Sequence, residues 1–319
     1  MGNPPFFSVI VPVHNKAVHI QRSMSSVLGQ KFEDFELLVI EDASTDNSLE
    51  EIERFQDQRI RLYHRKTPGP GGYAARNLGI NKARAKWVTF LDADDEWLDN
   101  HLEVVYKHLS GAGAADATAT GFYFSRGAER SQDNYTRSHK GKVACFELES
   151  YLRARVRGYE LISTNTIVVT KELMLKAGGF PEGKCLRGGD EDTWLRLFLA
   201  GMNMLRISVP TGVYHLDASG MVTGKSANAE DAHPVLETAR LGAQSIQCRK
   251  TRRLLARFAN RKTISWMRVA YEAGMDIRPH VRRLMLEGMD LYCACSLTAM
   301  LVLPKPVFRF LTSHIRGKP

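Results

Sequence analysis

VTFLDADD, residues 88–95, is the stretch on which the fold turns. Val88 to Leu91 form a short apolar, partly β-branched run that fits a buried strand. It stops against Asp92, Asp94 and Asp95, with Ala93 between them. Carboxylates clustered at one strand end repel each other unless a cation neutralises them, and hard oxygen ligands suit Mg²⁺ or Mn²⁺. Such an ion would clamp a diphosphate and stabilise the charge that develops as it leaves. The same acids would also suit the first turn of a helix.

Upstream, Ser8–Val13 reads as another buried strand, ended by His14 and Asn15. Ile20, Met24, Val27 and Leu28 follow at helical spacing, closed by Gly29. Phe35–Glu41 is a second strand, and residues 42–47 form a polar turn. Asn47 and Glu50 are spaced for a capping box. Arg59–His64 is a weaker strand, Pro68–Gly72 a loop, Tyr73–Ala85 a helix and Trp87–Leu91 a strand. This alternation predicts an α/β fold, a mostly parallel sheet with helices on both faces. Ligands of such sheets bind at the carboxyl ends of strands, so Asn15, Asp42 and Asp92 should share one rim. Downstream, Ala117–Phe124, Leu161–Val169 and Met204–Val209 are candidate strands, and Glu191–Ala200 has a helical stripe. Beyond about residue 230 strand signals vanish. Leu236–Leu303 reads as several basic helices, broken near Gly274 and Pro279.

The four runs FSVIVPVHN (7–15), LVIEDASTDN (38–47), ARNLGI (75–80) and VTFLDADD (88–95) occur in an order and spacing that resemble family 2 of the inverting glycosyltransferases, of GT-A fold. The resemblance is tight over residues 6–100, looser to about 223, and does not reach the C-terminal helices. It implies a GT-A catalytic domain at 1–225 and a basic helical extension at 226–319. It implies a nucleoside-diphosphate sugar donor, a divalent cofactor (Mn²⁺ or Mg²⁺) and an acceptor hydroxyl on a glycan or lipid-linked glycan. Pro12, His14 and Asn15 resemble the first nucleotide-contacting loop, with His14 where the family often has an aromatic residue. Asp42 resembles the base-binding acid, Arg76 a residue reaching the nucleotide or its phosphates, Asp92 the ribose-side acid and Asp94 the metal ligand. Asp46 could assist Asp42 or cap a helix. GGDEDTWLR, residues 188–196, resembles the helix start that supplies the catalytic base. Aligned on Trp194 and Arg196, it makes Asp190 the base. Gly189 stands where the family often has Glu, which keeps Asp192 and Glu191 as rivals. His215, in the run Val213–Thr223, resembles a residue that completes the metal shell or contacts the diphosphate. The family's processive members carry Gln-x-x-Arg-Trp and several membrane spans. Neither is found in this sequence, which favours transfer of a single sugar.

Two other readings share part of this chemistry. A nucleotidyltransferase would use the same acids and release pyrophosphate, and an inactive module would bind the nucleotide sugar without turnover. A dinucleotide fingerprint is mimicked by Gly69-Pro-Gly71-Gly72-Tyr-Ala74, with Asp92 about 20 residues on. A β-α-β unit already precedes it, Arg59–His64 is a poor buried strand, and three acids would repel a bare pyrophosphate.

The bulk numbers fit a globular protein of about two domains: 319 residues, 44% of them hydrophobic. The net charge of +9 is concentrated at one end. Residues 231–319 hold 16 basic and 6 acidic side chains, against 28 and 29 in the rest. A basic tail of this kind suits an anionic membrane surface or an acidic partner. No nucleic-acid recognition motif accompanies it, so nucleic acid is not expected. The uncharged run Leu291–Pro304, 14 residues long, is short of the ~20 a membrane span needs. With Lys305, Arg309, Arg316 and Lys318 after it, it suits an interfacial anchor; packing on the catalytic domain or in an oligomer contact would explain it equally well. Five cysteines without a Cys-x-x-Cys pair suggest neither zinc nor a disulfide framework. With no leader signal in the N-terminal residues, the expectation is a cytoplasmic protein, open to attachment at the inner face of a membrane.

Overall fold

The structure is a computed structural model. It describes residues 3–111, 115–219, 233–303 and 308. The chain packs as two compact units, Met1–Cys185 with Arg196–Met221, and Leu186–Leu195 with Val222–Pro319.

In the first unit, β1 (Phe7–Val13), α1 (Ile20–Leu28), β2 (Phe35–Asp42), α2 (Ser48–Glu53), β3 (Ile60–Arg65), α3 (Tyr73–Lys82) and β4 (Trp87–Phe90) follow the expected alternation. Then come β5 (Glu96–Trp97), α4 (His101–Gly111), β6 (Ala117–Arg126), β7 (Glu129–Gln132), α5 (Asn134–Ser138), β8 (Val143–Phe146), α6 (Leu148–Val156), β9 (Ile167–Thr170), α7 (Lys171–Lys176) and, after α8 (Gly189–Leu199), β10 (Met204–His215). The sheet order is β3-β2-β1-β4-β9-β6-β10-β5, with β7 beside β6 and β8 beside β10. β3, β2, β1 and β4 run parallel, as do β6 and β10, while β9 lies antiparallel between β4 and β6.

Strand alternation divides the apolar side chains between two faces. Phe7, Val9, Val11 and Val13 of β1 join Ile20, Met24 and Val27 of α1 and Leu102 and Val105 of α4 in one buried cluster. Burying each such side chain stabilises the fold by about 1.5–3 kcal/mol. On the other face α3 presses so close to β1 that a Cβ on Gly79 would lie 2.4 Å from Ile10 Cγ2. Only glycine permits that approach. Helices therefore cover both faces of a mostly parallel sheet.

Three of the differences from the sequence reading have a local cause. β9 is shorter than Leu161–Val169, because Thr164–Thr166 wind into a 3₁₀ turn after Ser163. β10 runs past Val209 to His215, since two register shifts around Pro210 let the strand continue against β6. Asn47 makes no side-chain cap on α2. Asp46 does that work, accepting from Ser48 N at 3.0 Å and from Ala17 N at 3.1 Å.

In the second unit, α9 (Val235–Ser245), α10 (Arg249–Glu272), α11 (Arg278–Val281) and α12 (Leu291–Val302) carry all its regular structure apart from α8 and a 3₁₀ turn at Leu286–Gly288, among the described residues. Gly274 follows α10 in the left-handed region, and Pro279 lies in the first turn of α11. Ile264, Met267 and Ala270 of α10 pack with Cys293, Leu297 and Met300 of α12. Asp290 caps α12 through Cys293 N at 2.9 Å and accepts Arg261 Nη2 at 2.7 Å. None of the five cysteines forms a disulfide among the described residues. No helix among the described residues is long and apolar enough to cross a membrane. Lys305, Arg309, Arg316 and Lys318, and residues 220–223 of the His215 run, lie outside the described residues.

Candidate active site

β1, β2 and β4 end at one edge of the sheet, and their last residues build a rim. Pro12 pairs with Ile40 just before the chain leaves β1. Asn15 and Ala43 then adopt left-handed backbone conformations, φ 53° and 52°. For Ala43 that geometry is strained, at a cost of about 1–3 kcal/mol. The two turns are stitched together: Thr45 N donates to Asn15 Oδ1 at 2.8 Å, and Asn15 N to Ser44 Oγ at 3.2 Å. His14 Nδ1 donates to the Asp42 carbonyl at 2.8 Å, and its ring is exposed.

Asp42 is 1% exposed. Its carboxylate accepts from Arg65 and, at 3.1 Å, from Gly69 N, so it also anchors the loop leading to α3. Arg76, near the start of α3, donates to the Gly71 carbonyl at 3.0 Å and to Asp92. Its guanidinium lies 5.4 Å from the Phe180 ring centre. Gly71 and Gly72, both at φ 69°, turn that carbonyl toward it.

The three acids after β4 have different environments. Asp92 is paired with Arg76. Asp94 Oδ2 is 2.6 Å from Lys16 Nζ, and its carbonyl accepts from Arg22. Asp95 is 1% exposed and accepts from Asn165 Nδ2 and, at 2.8 Å, from His215 N. Burial, then Asp92 and Asp94, push its carboxyl well above the usual range. Asp95 is thus a structural acid that ties the turn to the end of β10.

That tie fixes His215. Its Nε2 is buried without a hydrogen bond, the Glu96 carboxylate lying 3.4 Å away in poor alignment. Burial and then Arg22 hold the imidazole below its ordinary pKa, against the pull of Glu96. Among the described residues no three acidic, His or Cys side chains form a metal cage. Mg²⁺ commonly binds through one or two carboxylates, with substrate phosphates and water completing its shell. The Asp94 carboxylate fits that mode, and His215 is tied to the same turn through its backbone N and Asp95. Lys16, Arg22 and Asn165 were not singled out from the sequence. Lys16 had one signal, its place directly after the rim residue Asn15.

In the second unit, the start of α8 carries Asp190, Glu191 and Asp192. Glu191 Oε1 accepts Lys262 Nζ at 2.6 Å. Asp192 is buried, and its Oδ1 accepts Thr238 Oγ1 at 2.5 Å. Asp190 is half-buried. Just before them, Gly188 at φ 76° passes so close to His233 that a Cβ would lie 2.9 Å from its Nε2. Burial holds the His233 imidazole down at about 4.

Residues 8–164 match the model of glycosyl transferase family 2. TarS of S. aureus, solved in complex with UDP-GlcNAc, superposes with a TM-score of 0.70 at 19% identity, over 93% of this chain and 92% of that one. The mannosyltransferase PcManGT of Pyrobaculum calidifontis, solved with GDP-Man and Mn²⁺, gives 0.58 at 19% identity, over 98% and 84%. These establish the GT-A fold. In sequence, the chain is 39% identical over 97 residues to the Escherichia coli UDP-Glc:alpha-D-GlcNAc-diphosphoundecaprenol beta-1,3-glucosyltransferase WfgD, covering 30% of this chain and 38% of WfgD. It spans 15%, 67% and 41% of the length of three other curated relatives, all named as glycosyltransferases. Through residues 8–164 the chain belongs to glycosyl transferase family 2.

Proposed function

We propose that the chain transfers one sugar from a nucleoside-diphosphate sugar to an acceptor hydroxyl, with inversion at the anomeric carbon. The observation that carries this reading is the rim itself. Asp42 at the end of β2, Asn15 after β1, and Asp92 and Asp94 after β4 stand on one sheet edge, with Arg76 bonded to Asp92. The WfgD relative suggests a lipid-linked glycan as acceptor, and the solved neighbours suggest UDP or GDP as carrier.

Pro12, His14, Asn15 and Asp42 hold the nucleoside, with the Asp42 carboxylate accepting from the base. Arg76 exchanges Asp92 for the diphosphate, and Asp92 then serves the ribose. Asp94 and His215 would hold a divalent cation, which would supply neutralisation of the diphosphate leaving group. Asp190 takes the proton of the acceptor hydroxyl as its oxygen bonds to the anomeric carbon. The carbon–oxygen bond to the diphosphate breaks on the opposite side, and its electron pair leaves with the phosphate. The alignment on Trp194 and Arg196 supports Asp190 over its rivals Glu191 and Asp192. The product that leaves the donor tests the reading: nucleoside diphosphate supports it, pyrophosphate means nucleotidyl transfer, and binding without turnover means an inactive module.

Attachment to an anionic membrane belongs to the same proposal. Leu286, Leu291, Leu301 and Val302 are exposed, at 88%, 80%, 56% and 71%, and Arg278, Arg282 and Arg283 are exposed too. Apolar side chains beside basic ones are what an interfacial site needs. The protein should co-sediment with vesicles containing phosphatidylglycerol at low salt, less so in high salt, and less after removal of residues 289–319. Full-length protein that ignores such vesicles at low salt would leave α12 as packing surface.

A further inference from the structure

Lys16 is the first residue after the left-handed turn at Asn15, and its backbone N–H is pinned to Ser48 Oγ at 2.8 Å. The side chain reaches across the rim. Nζ lies 2.6 Å from Asp94 Oδ2 and 3.1 Å from the Ser219 carbonyl, and the Lys16 and Asp94 side chains are each only 13% exposed. The turn does not need this ion pair to hold its shape. Arg22 binds the Asp94 carbonyl, Asp95 N donates to the Asp92 carbonyl at 3.0 Å, and Asp95 is clasped by Asn165 and His215. Lys16 therefore acts on the Asp94 carboxylate and not on the backbone beneath it.

An ammonium at that position fills the space a divalent ion would need on Oδ2, where Mg²⁺–oxygen distances are about 2.0–2.1 Å. Two cations sharing one carboxylate oxygen would also repel. Lysine is a flexible point charge that binds phosphate well. A diphosphate arriving at the rim would offer the ammonium a second anion and draw it off Asp94. We propose that Lys16 couples the two ligands: it keeps Asp94 closed to a free divalent cation and opens it when the donor's diphosphate arrives. This rests on the metal reading above.

The test is Mn²⁺ binding, read from the free-ion electron paramagnetic resonance signal, in wild type, Lys16→Met and Asp94→Ala, each with and without UDP and with thermal melts to confirm folding. Wild type should bind Mn²⁺ weakly alone, with UDP tightening it by about 5–150-fold, the usual range of coupling between two ligands. Lys16→Met should bind Mn²⁺ alone at least about fivefold tighter than wild type, with a smaller gain from UDP. Equal Mn²⁺ affinities of wild type and Lys16→Met without UDP, with Asp94→Ala having lost the ion, would overturn the coupling and spare the metal site. Wild type and Asp94→Ala binding Mn²⁺ alike under both conditions would overturn both.

Discussion

Asp190→Asn is expected to lower sugar transfer by about 10²–10⁴-fold, the usual worth of a general base, while donor affinity stays within about threefold. Asparagine keeps the shape and one acceptor oxygen of the side chain but cannot take the proton of the attacking hydroxyl. In the proposed mechanism donor binding falls to Asp42, Arg76 and Asp94, none of which is substituted. Asp192→Asn is the paired control. Its carboxylate is buried and accepts the Thr238 hydroxyl at 2.5 Å, so the amide keeps that bond through its oxygen and transfer should stay within a few-fold of wild type. An active Asp190→Asn beside an inactive Asp192→Asn would move the base two positions along α8. Two active variants would reduce this helix start to a capped terminus.

Asp94→Ala should cost at least about 100-fold in nucleoside diphosphate affinity in the presence of Mn²⁺, because metal-mediated charge stabilisation is worth several kcal/mol. The same substitution should cost nothing in chelator. Without the Asp94 carboxylate, Lys16 loses its 2.6 Å partner, and its charge becomes available to the phosphates. Calorimetry with UDP in Mn²⁺ and in EDTA reads both limbs. Wild type that binds UDP equally with and without the chelator removes the metal from the account.

The sequence made the rim legible and left its internal bonding hidden, for a physical reason. β1, β2 and β4 are buried on both faces, so they read as unbroken apolar runs, and the polar residues that follow mark their ends. Pro12, His14, Asn15, Asp42, Asp92 and Asp94 could be named from that pattern and the family resemblance. The inward turn of Asp95 could not. Asp95 looks like its neighbours in sequence, yet it is turned inward by Asn165, 70 residues on, and by His215 N, 120 residues on. Lys16 meets Asp94 across 78 residues. Such pairings are set by strand order, and periodicity carries no information about them. β10 was cut short for a local reason. A proline in a strand normally argues against it, and here the bulges around Pro210 absorb it. The start of α8 was legible as three acids at a helix terminus. That Lys262 and Thr238 from the basic extension engage two of them was not, because the extension showed only charge and helical spacing.

The most direct test of the central claim follows one reaction by NMR, with the protein, a nucleotide sugar, Mn²⁺ and an undecaprenyl-diphosphate-linked acceptor. The account predicts that phosphorus resonances of a nucleoside diphosphate grow in as the donor is consumed. It also predicts that the anomeric proton of the transferred sugar shows the configuration opposite to that in the donor, and that EDTA stops both changes. Pyrophosphate in place of nucleoside diphosphate, or a product that retains the donor's anomeric configuration, would contradict it.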